Sequence, residues 1–102
     1  MTLSKSHLKE LKELTQKKHR EEQAKFVIEG IRLVHEALDS DFEFIEVLHT
    51  PELEEHPGGK ALLQALKGRV DGLRPVAQRD IEAITDTVTA QGIAAVLRQQ
   101  RH

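Results

Sequence analysis

Several residues of this chain belong to types that do chemistry, and their spacing decides which of them can. There are six histidines and no cysteine. His7, His19, His35, His49, His56 and His102 are scattered, with no His-Glu-x-x-His pair on one helix face. Neither a catalytic zinc site nor a thiolate zinc site is therefore expected. Gly58-Gly59-Lys60-Ala61 resembles the end of a phosphate loop. However, Glu54 stands where the first glycine belongs, and Ala61 replaces the hydroxyl that would hold magnesium. The acid pairs Glu54-Glu55 and Asp39/Asp41 lie in polar stretches, where water solvates both carboxylates and acid–base work is disfavoured. No Gly-x-Ser-x-Gly nucleophile turn occurs. The expectation is a chain with no catalytic residues and no metal site of its own.

The informative chemistry sits in the stretch FVIEGIRLVHEAL, residues 26–38. Phe26, Val27 and Ile28 read as a buried strand, whereas Ile31, Val34, Ala37 and Leu38 have helical spacing. Glu29 and Gly30 fall between them, at the carboxyl end of a strand and just before a helix N-terminus. Ligands of open α/β sheets gather at such ends, and free N–H groups there attract anions. Glycine lets a backbone approach closely. A glutamate repels phosphate, so Glu29 is expected to orient Arg20 or Arg32. The alternative is that Glu29 satisfies the helix N–H groups itself while Gly30 only makes the turn.

The elements that position this junction follow from periodicity. Leu8, Leu11 and Leu14 predict a helix from Ser6 to about Lys18, capped by Ser6. His19 to Lys25 is charged and expected to be exposed. The helix after Gly30 runs to about Asp39. Phe44 to Leu48 reads as a strand ended by Thr50-Pro51, and Pro57-Gly58-Gly59 as a loop tip. Ala61 to Lys67 predicts a helix that Gly68 terminates. Leu73 to Ala77 is a weak strand that Pro75 confines to an edge or bulge. Ile81 and Ile84 mark a short helix, and Ile93 to Leu97 an apolar last strand. Alternating strands and helices, with strands this apolar, predict an α/β fold: three α/β/α layers around a mostly parallel four-stranded sheet.

At 102 residues the chain makes one domain. No apolar run approaches the roughly 20 residues of a membrane span, and the lysine-rich N-terminus lacks the apolar core of a signal peptide. Absence of cysteine fits a reducing, cytoplasmic setting. The net charge of −2 hides a polarity: residues 1–25 carry +3, residues 26–57 carry −8, and residues 58–102 carry +3. Stacking of nucleic-acid bases on exposed rings is disfavoured, because Trp and Tyr are absent and Phe26, Phe42 and Phe44 lie in or beside strands. What remains for RNA is backbone recognition by Lys17, Lys18, Arg20, Lys25 and Arg32, a set that flanks the junction.

Ser4-Lys5-Ser6, Lys17-Lys18, Arg20 and the run Phe26-Val27-Ile28-Glu29-Gly30-x-Arg32-x-Val34-x-Glu36-Ala37-Leu38 resemble the N-terminal substrate-binding domain of SpoU/TrmH-type RNA 2′-O-ribose methyltransferases. Asp86-Thr87-x-Thr89-Ala90-Gln91-Gly92-Ile93 extends the resemblance. Ala90 and Ile31 stand where that family often has proline. The resemblance implies a fold like that of ribosomal proteins that bind kink-turn RNA. It also implies a role in holding structured RNA, ribosomal or less often transfer RNA. Residues 1–98 would be the RNA substrate-binding domain and 99–102 the start of a linker. A knotted SPOUT catalytic domain, absent from this chain, would bind S-adenosylmethionine and form a homodimer, so this chain alone would bind no cofactor and methylate nothing. Within the resemblance, Arg20 and Arg32 contact phosphates or base edges, with Lys17, Lys18 and Lys25 in support. Glu29 would orient an arginine, and Gln91 would either offer an amide to the same site or satisfy loop backbone; Gly30 and Gly92 complete this orienting or loop set. A stand-alone RNA- or protein-binding adaptor of the same fold is the other expectation.

Overall fold

The computed structural model describes residues 3–87 and 90–99. Thr89 of the late motif, and Gln100, Arg101 and His102 of the tail, lie outside them. The expected first helix is two. α1 (Lys5–Glu13) is capped by Ser4 rather than Ser6: the Ser4 hydroxyl accepts from the His7 N–H at 3.2 Å. It ends at Leu14, and α2 (Lys17–Gln23) follows, so the charged segment expected to be merely exposed is mostly helical. The leucine stripe does not show this break, because Leu14 closes α1 by packing inward. Ala24 then turns the chain in a left-handed conformation, φ 55°, into β1.

The strands are β1 (Lys25–Glu29), β2 (Phe44–His49), β3 (Leu73–Pro75) and β4 (Ile93–Arg98), in the order β1-β4-β2-β3. β4 pairs antiparallel with both β1 and β2, and only β2 and β3 are parallel. The sheet is thus mixed and mostly antiparallel, which corrects the expected mostly parallel sheet. The reason is local. β1, β2 and β3 do run the same way, as alternating strands and helices imply. But the last strand enters between β1 and β2 in the reverse direction, converting two of the three pairings. Pro75 lies on an edge strand, as expected.

The helices cover both faces. α3 (Ile31–Leu38) and α4 (Gly59–Lys67) pack on one side: Val34, Leu62 and Leu66 meet Val47, Ile93, Ala95 and Leu97. α1 and α5 (Gln78–Thr85) pack on the other, where Leu11, Leu14, Ile81 and Ile84 meet Leu48, Ala94 and Val96. β4 is buried on both faces from Ile93 to Leu97, hence its unbroken apolar run. The expected loop tip before α4 is more ordered than its Pro-Gly-Gly composition suggests. A 3-10 turn spans Pro51–Glu55, and buried Gly59 packs against the Leu53 carbonyl so closely that no side chain fits.

A bulge in β2 sets one charge inside. Phe44 pairs with Leu97 but Glu46 with Val96, so Ile45 is an extra residue and Glu46 turns toward the α1 face. There the Glu46 carboxylate, 8% exposed, meets His7 Nε2 at 2.6 Å and Arg74 Nε at 3.7 Å. A buried carboxylate is tolerated because it is partnered in this way.

Candidate nucleic-acid interface

At the end of β1 the chain makes a two-way clasp with the loop before β4. The Glu29 carboxylate accepts the Gln91 N–H at 2.9 Å, and the Gln91 side-chain oxygen accepts the Ile31 N–H, also at 2.9 Å. Gly30 lies between them at φ 105°, and a Cβ there would stand 3.2 Å from the Gln91 oxygen. Its N–H bonds the Ile93 carbonyl at 3.1 Å, extending the β1–β4 ladder by one rung. The backbone at this φ favours glycine, and an added Cβ would press on the Gln91 side chain. Gly92, at φ 89°, faces Thr50, whose N–H bonds the Gly92 carbonyl at 2.9 Å.

The clasp settles what these residues touch. Glu29 is bonded to the Gln91 backbone, not to Arg20 or Arg32, and one α3 N-terminal N–H, that of Ile31, donates to the Gln91 side-chain oxygen. Sequence alone offered both Glu29 roles; the structure shows a carboxylate satisfying backbone N–H, though of a loop 62 residues away rather than of its own helix. No spacing rule reports such a contact.

A cleft of about 630 Å³ runs along the free edge of β1. Its floor is apolar, from Leu14, Val27, Ile28 and Ile84, and Leu33 stands at its side 50% exposed. Arg20, Glu29, Thr15, Thr85, Asp86 and Thr87 supply the polar wall. Arg20 also donates to the Leu14 carbonyl at 3.1 Å, closing the end of α1. Arg20 and Glu29 thus share one cleft without forming an ion pair among the described residues. Lys25 begins the strand at its edge, and Lys17 and Lys18 are exposed on the first turn of α2, Lys17 beside Glu21 at 3.9 Å. Arg32 departs from the group: its side chain is 91% exposed, pairs with Glu36 at 3.2 Å and does not line the cleft.

Some residues escaped sequence reasoning. Arg69 donates to the Leu38 carbonyl and, at 3.1 Å, to the Ser40 carbonyl, closing the end of α3 while lying 5.8 Å over the Phe44 ring. The His7–Glu46 bond had one signal, a lone acid inside the apolar run of β2. Among the described residues no three His, Asp or Glu side chains gather as metal ligands, and no helix is long and apolar enough to cross a membrane.

A sandwich of this order, with a basic helix beside an apolar-floored cleft and side chains spent on bonding its own loops, has the makings of a binding module. The MRM3-like substrate binding domain family matches residues 5–95, and the chain belongs to it. None of the curated proteins matches it. Among solved structures it resembles the AdoMet-bound rRNA methyltransferase from Sinorhizobium meliloti, with 26% identity and a TM-score of 0.74, over 100% of this chain and 36% of that one. A putative RNA methyltransferase of the TrmH family from Porphyromonas gingivalis is 25% identical, TM-score 0.72, over 96% of this chain and 36% of that one. An RNA 2′-O ribose methyltransferase gives a TM-score of 0.80 at 24% identity, over 97% of this chain and 36% of that one, a likeness of fold. The chain therefore spans 36% of the length of each of these three.

Proposed function

We propose that this chain is the RNA-holding domain of an S-adenosylmethionine-dependent RNA 2′-O-ribose methyltransferase. The observation that carries the reading is membership of a substrate-binding family over residues 5–95, joined to likenesses named as RNA methyltransferases. Residues 1–98 hold structured RNA, ribosomal RNA first, and 99–102 begin the linker to a catalytic domain. That domain binds the cofactor, dimerises and works in the cytoplasm. The likeness to kink-turn-binding ribosomal proteins belongs to the same reading. In this reading the cofactor belongs to that catalytic domain and not to this chain. By itself it holds RNA and transfers no methyl group.

RNA meets the side carrying Lys17, Lys18, Arg20 and Lys25, with Arg32 reaching from α3. The acidic turn of Glu52, Glu54 and Glu55 repels phosphate and restricts the approach. Arg20→Ala combined with Arg32→Ala tests this on ribosomal RNA fragments titrated at several salt concentrations. Each lost phosphate contact flattens the slope of log affinity against log salt by about 0.7–0.9, the single-strand and B-DNA values, so a reduction near two contacts' worth is expected. An unchanged slope places the RNA elsewhere.

A further inference from the structure

We propose that the cleft along β1 receives one unstacked guanine base of the RNA. This rests on the RNA-holding reading and deepens it, from backbone attraction to recognition of a base. Three observations converge. First, the cleft has the volume of a small-ligand site, about 630 Å³, and an apolar floor against which a base face can lie. Leu33 supplies the adjoining wall and is the one large apolar side chain that is exposed among the described residues.

Second, the cleft contains one cation, Arg20, and two carboxylates, Glu29 and Asp86, and among the described residues Arg20 forms an ion pair with neither. One Glu29 oxygen accepts the Gln91 N–H, while the other has no hydrogen bond among the described residues. The Arg20 guanidinium spends one nitrogen on the Leu14 carbonyl and keeps further N–H donors. Guanine alone among the four bases presents two adjacent N–H donors on one edge and two adjacent acceptors, O6 and N7, on another. A carboxylate fits the first edge and an arginine the second. Adenine and cytosine each offer an amino group next to an acceptor, which a carboxylate repels.

Third, the edge is open. Ala24 O accepts from Gln99 N–H and Gly30 N–H reaches Ile93 O, so the even residues of β1 face β4. The backbone groups of Lys25, Val27 and Glu29 therefore point away from the sheet, toward the cleft side. They add donors and acceptors for the ribose. The clasp explains why this geometry is fixed in advance: Gln91 holds Glu29 before any base arrives.

The test uses 5′-labelled uridine hexamers in fluorescence anisotropy, with one central residue replaced by guanosine, inosine or adenosine. Guanosine should bind about tenfold tighter than adenosine, the scale of one bidentate base contact. Inosine, which lacks the 2-amino group, should fall between. Glu29→Gln keeps an oxygen for the Gln91 N–H but removes the anion, and should bring the guanosine-to-adenosine ratio to about one. Leu33→Ser, at an exposed position, should weaken the guanosine hexamer more than the all-uridine hexamer, and it answers the question even if Glu29→Gln fails to fold. Equal binding of all hexamers with normal salt dependence overturns the guanine site and leaves the RNA reading standing. A guanosine preference undiminished in folded Glu29→Gln, or guanosine binding unchanged in Leu33→Ser, also overturns the site. Failure of every hexamer and every ribosomal RNA fragment to bind overturns the RNA reading itself.

Discussion

Gly92→Ala should be among the most damaging single-methyl changes in the chain, and its cost can be divided. At φ 89° an alanine pays about 1–2 kcal/mol for the left-handed backbone, partly offset by roughly 0.4–1 kcal/mol from a stiffer unfolded chain. The new Cβ would also lie 2.6 Å from Thr50 Oγ1. Thr50 is only 2% exposed and its N–H is tied to Gly92, so it cannot easily withdraw. Overpacking of this kind adds about 1–3 kcal/mol. The expected total is about 2–4 kcal/mol. Thr50→Ala removes the offending oxygen, and the next contact, to Thr50 Cβ, is an ordinary 3.6 Å. In that background Gly92→Ala should cost only about 1 kcal/mol, the backbone share. Urea unfolding of the wild type, both single variants and the double variant gives the coupling directly. Additivity within about 0.5 kcal/mol would refute the steric reasoning and leave backbone conformation as the whole cause.

Ala24→Gly, at φ 55°, should raise the unfolding free energy by roughly 0.5–1 kcal/mol, and a lower urea midpoint would contradict the assigned turn. Arg69→Ala strips the end of α3 of its carbonyl partners and should cost about 1–2 kcal/mol; Arg69→Lys should recover only part of that in the same unfolding assay. A double-mutant cycle of His7→Ala and Glu46→Ala should show a coupling of about 1 kcal/mol, and a value near zero would mean α1 is held by its leucines alone.

The elements of the fold were legible where a side chain reports its own surroundings. The apolar run of β4, the edge position forced by Pro75 and the strand–helix handover at Gly30 all follow from local patterns. Strand direction was not: an apolar run reads the same whether it enters a sheet forward or reversed, so β4 could not be placed by pattern. The interruption after Leu14 was hidden because the leucine repeat continues up to it. At the junction, residue type and resemblance singled out Glu29, Gly30, Gln91 and Gly92, which the fold brings together. Their contacts could not be read in this way, since 62 residues separate the two halves of the clasp. The basic set divides in the same way. Arg20 lines the cleft while Arg32, adjacent in pattern, points into solvent.

The reversed strand has a bearing on how this domain comes into being. β1 and β2 never touch as neighbours; β1 finds its partner only in β4, and β2 has β3 on one edge and β4 on the other, so the strand that joins them is made after both. During synthesis, β1, α3 and β2 must wait with unsatisfied edges until residues 93–98 have emerged from the ribosome. The decisive step of folding is the insertion of that late segment between two earlier ones, a loop closure spanning most of the chain and slow for that reason. Until then Phe26, Ile28 and Val47 are exposed to other chains. Expression at low temperature, or with a chaperone that shields extended segments, should therefore raise the soluble yield more than any stabilising change on the helices.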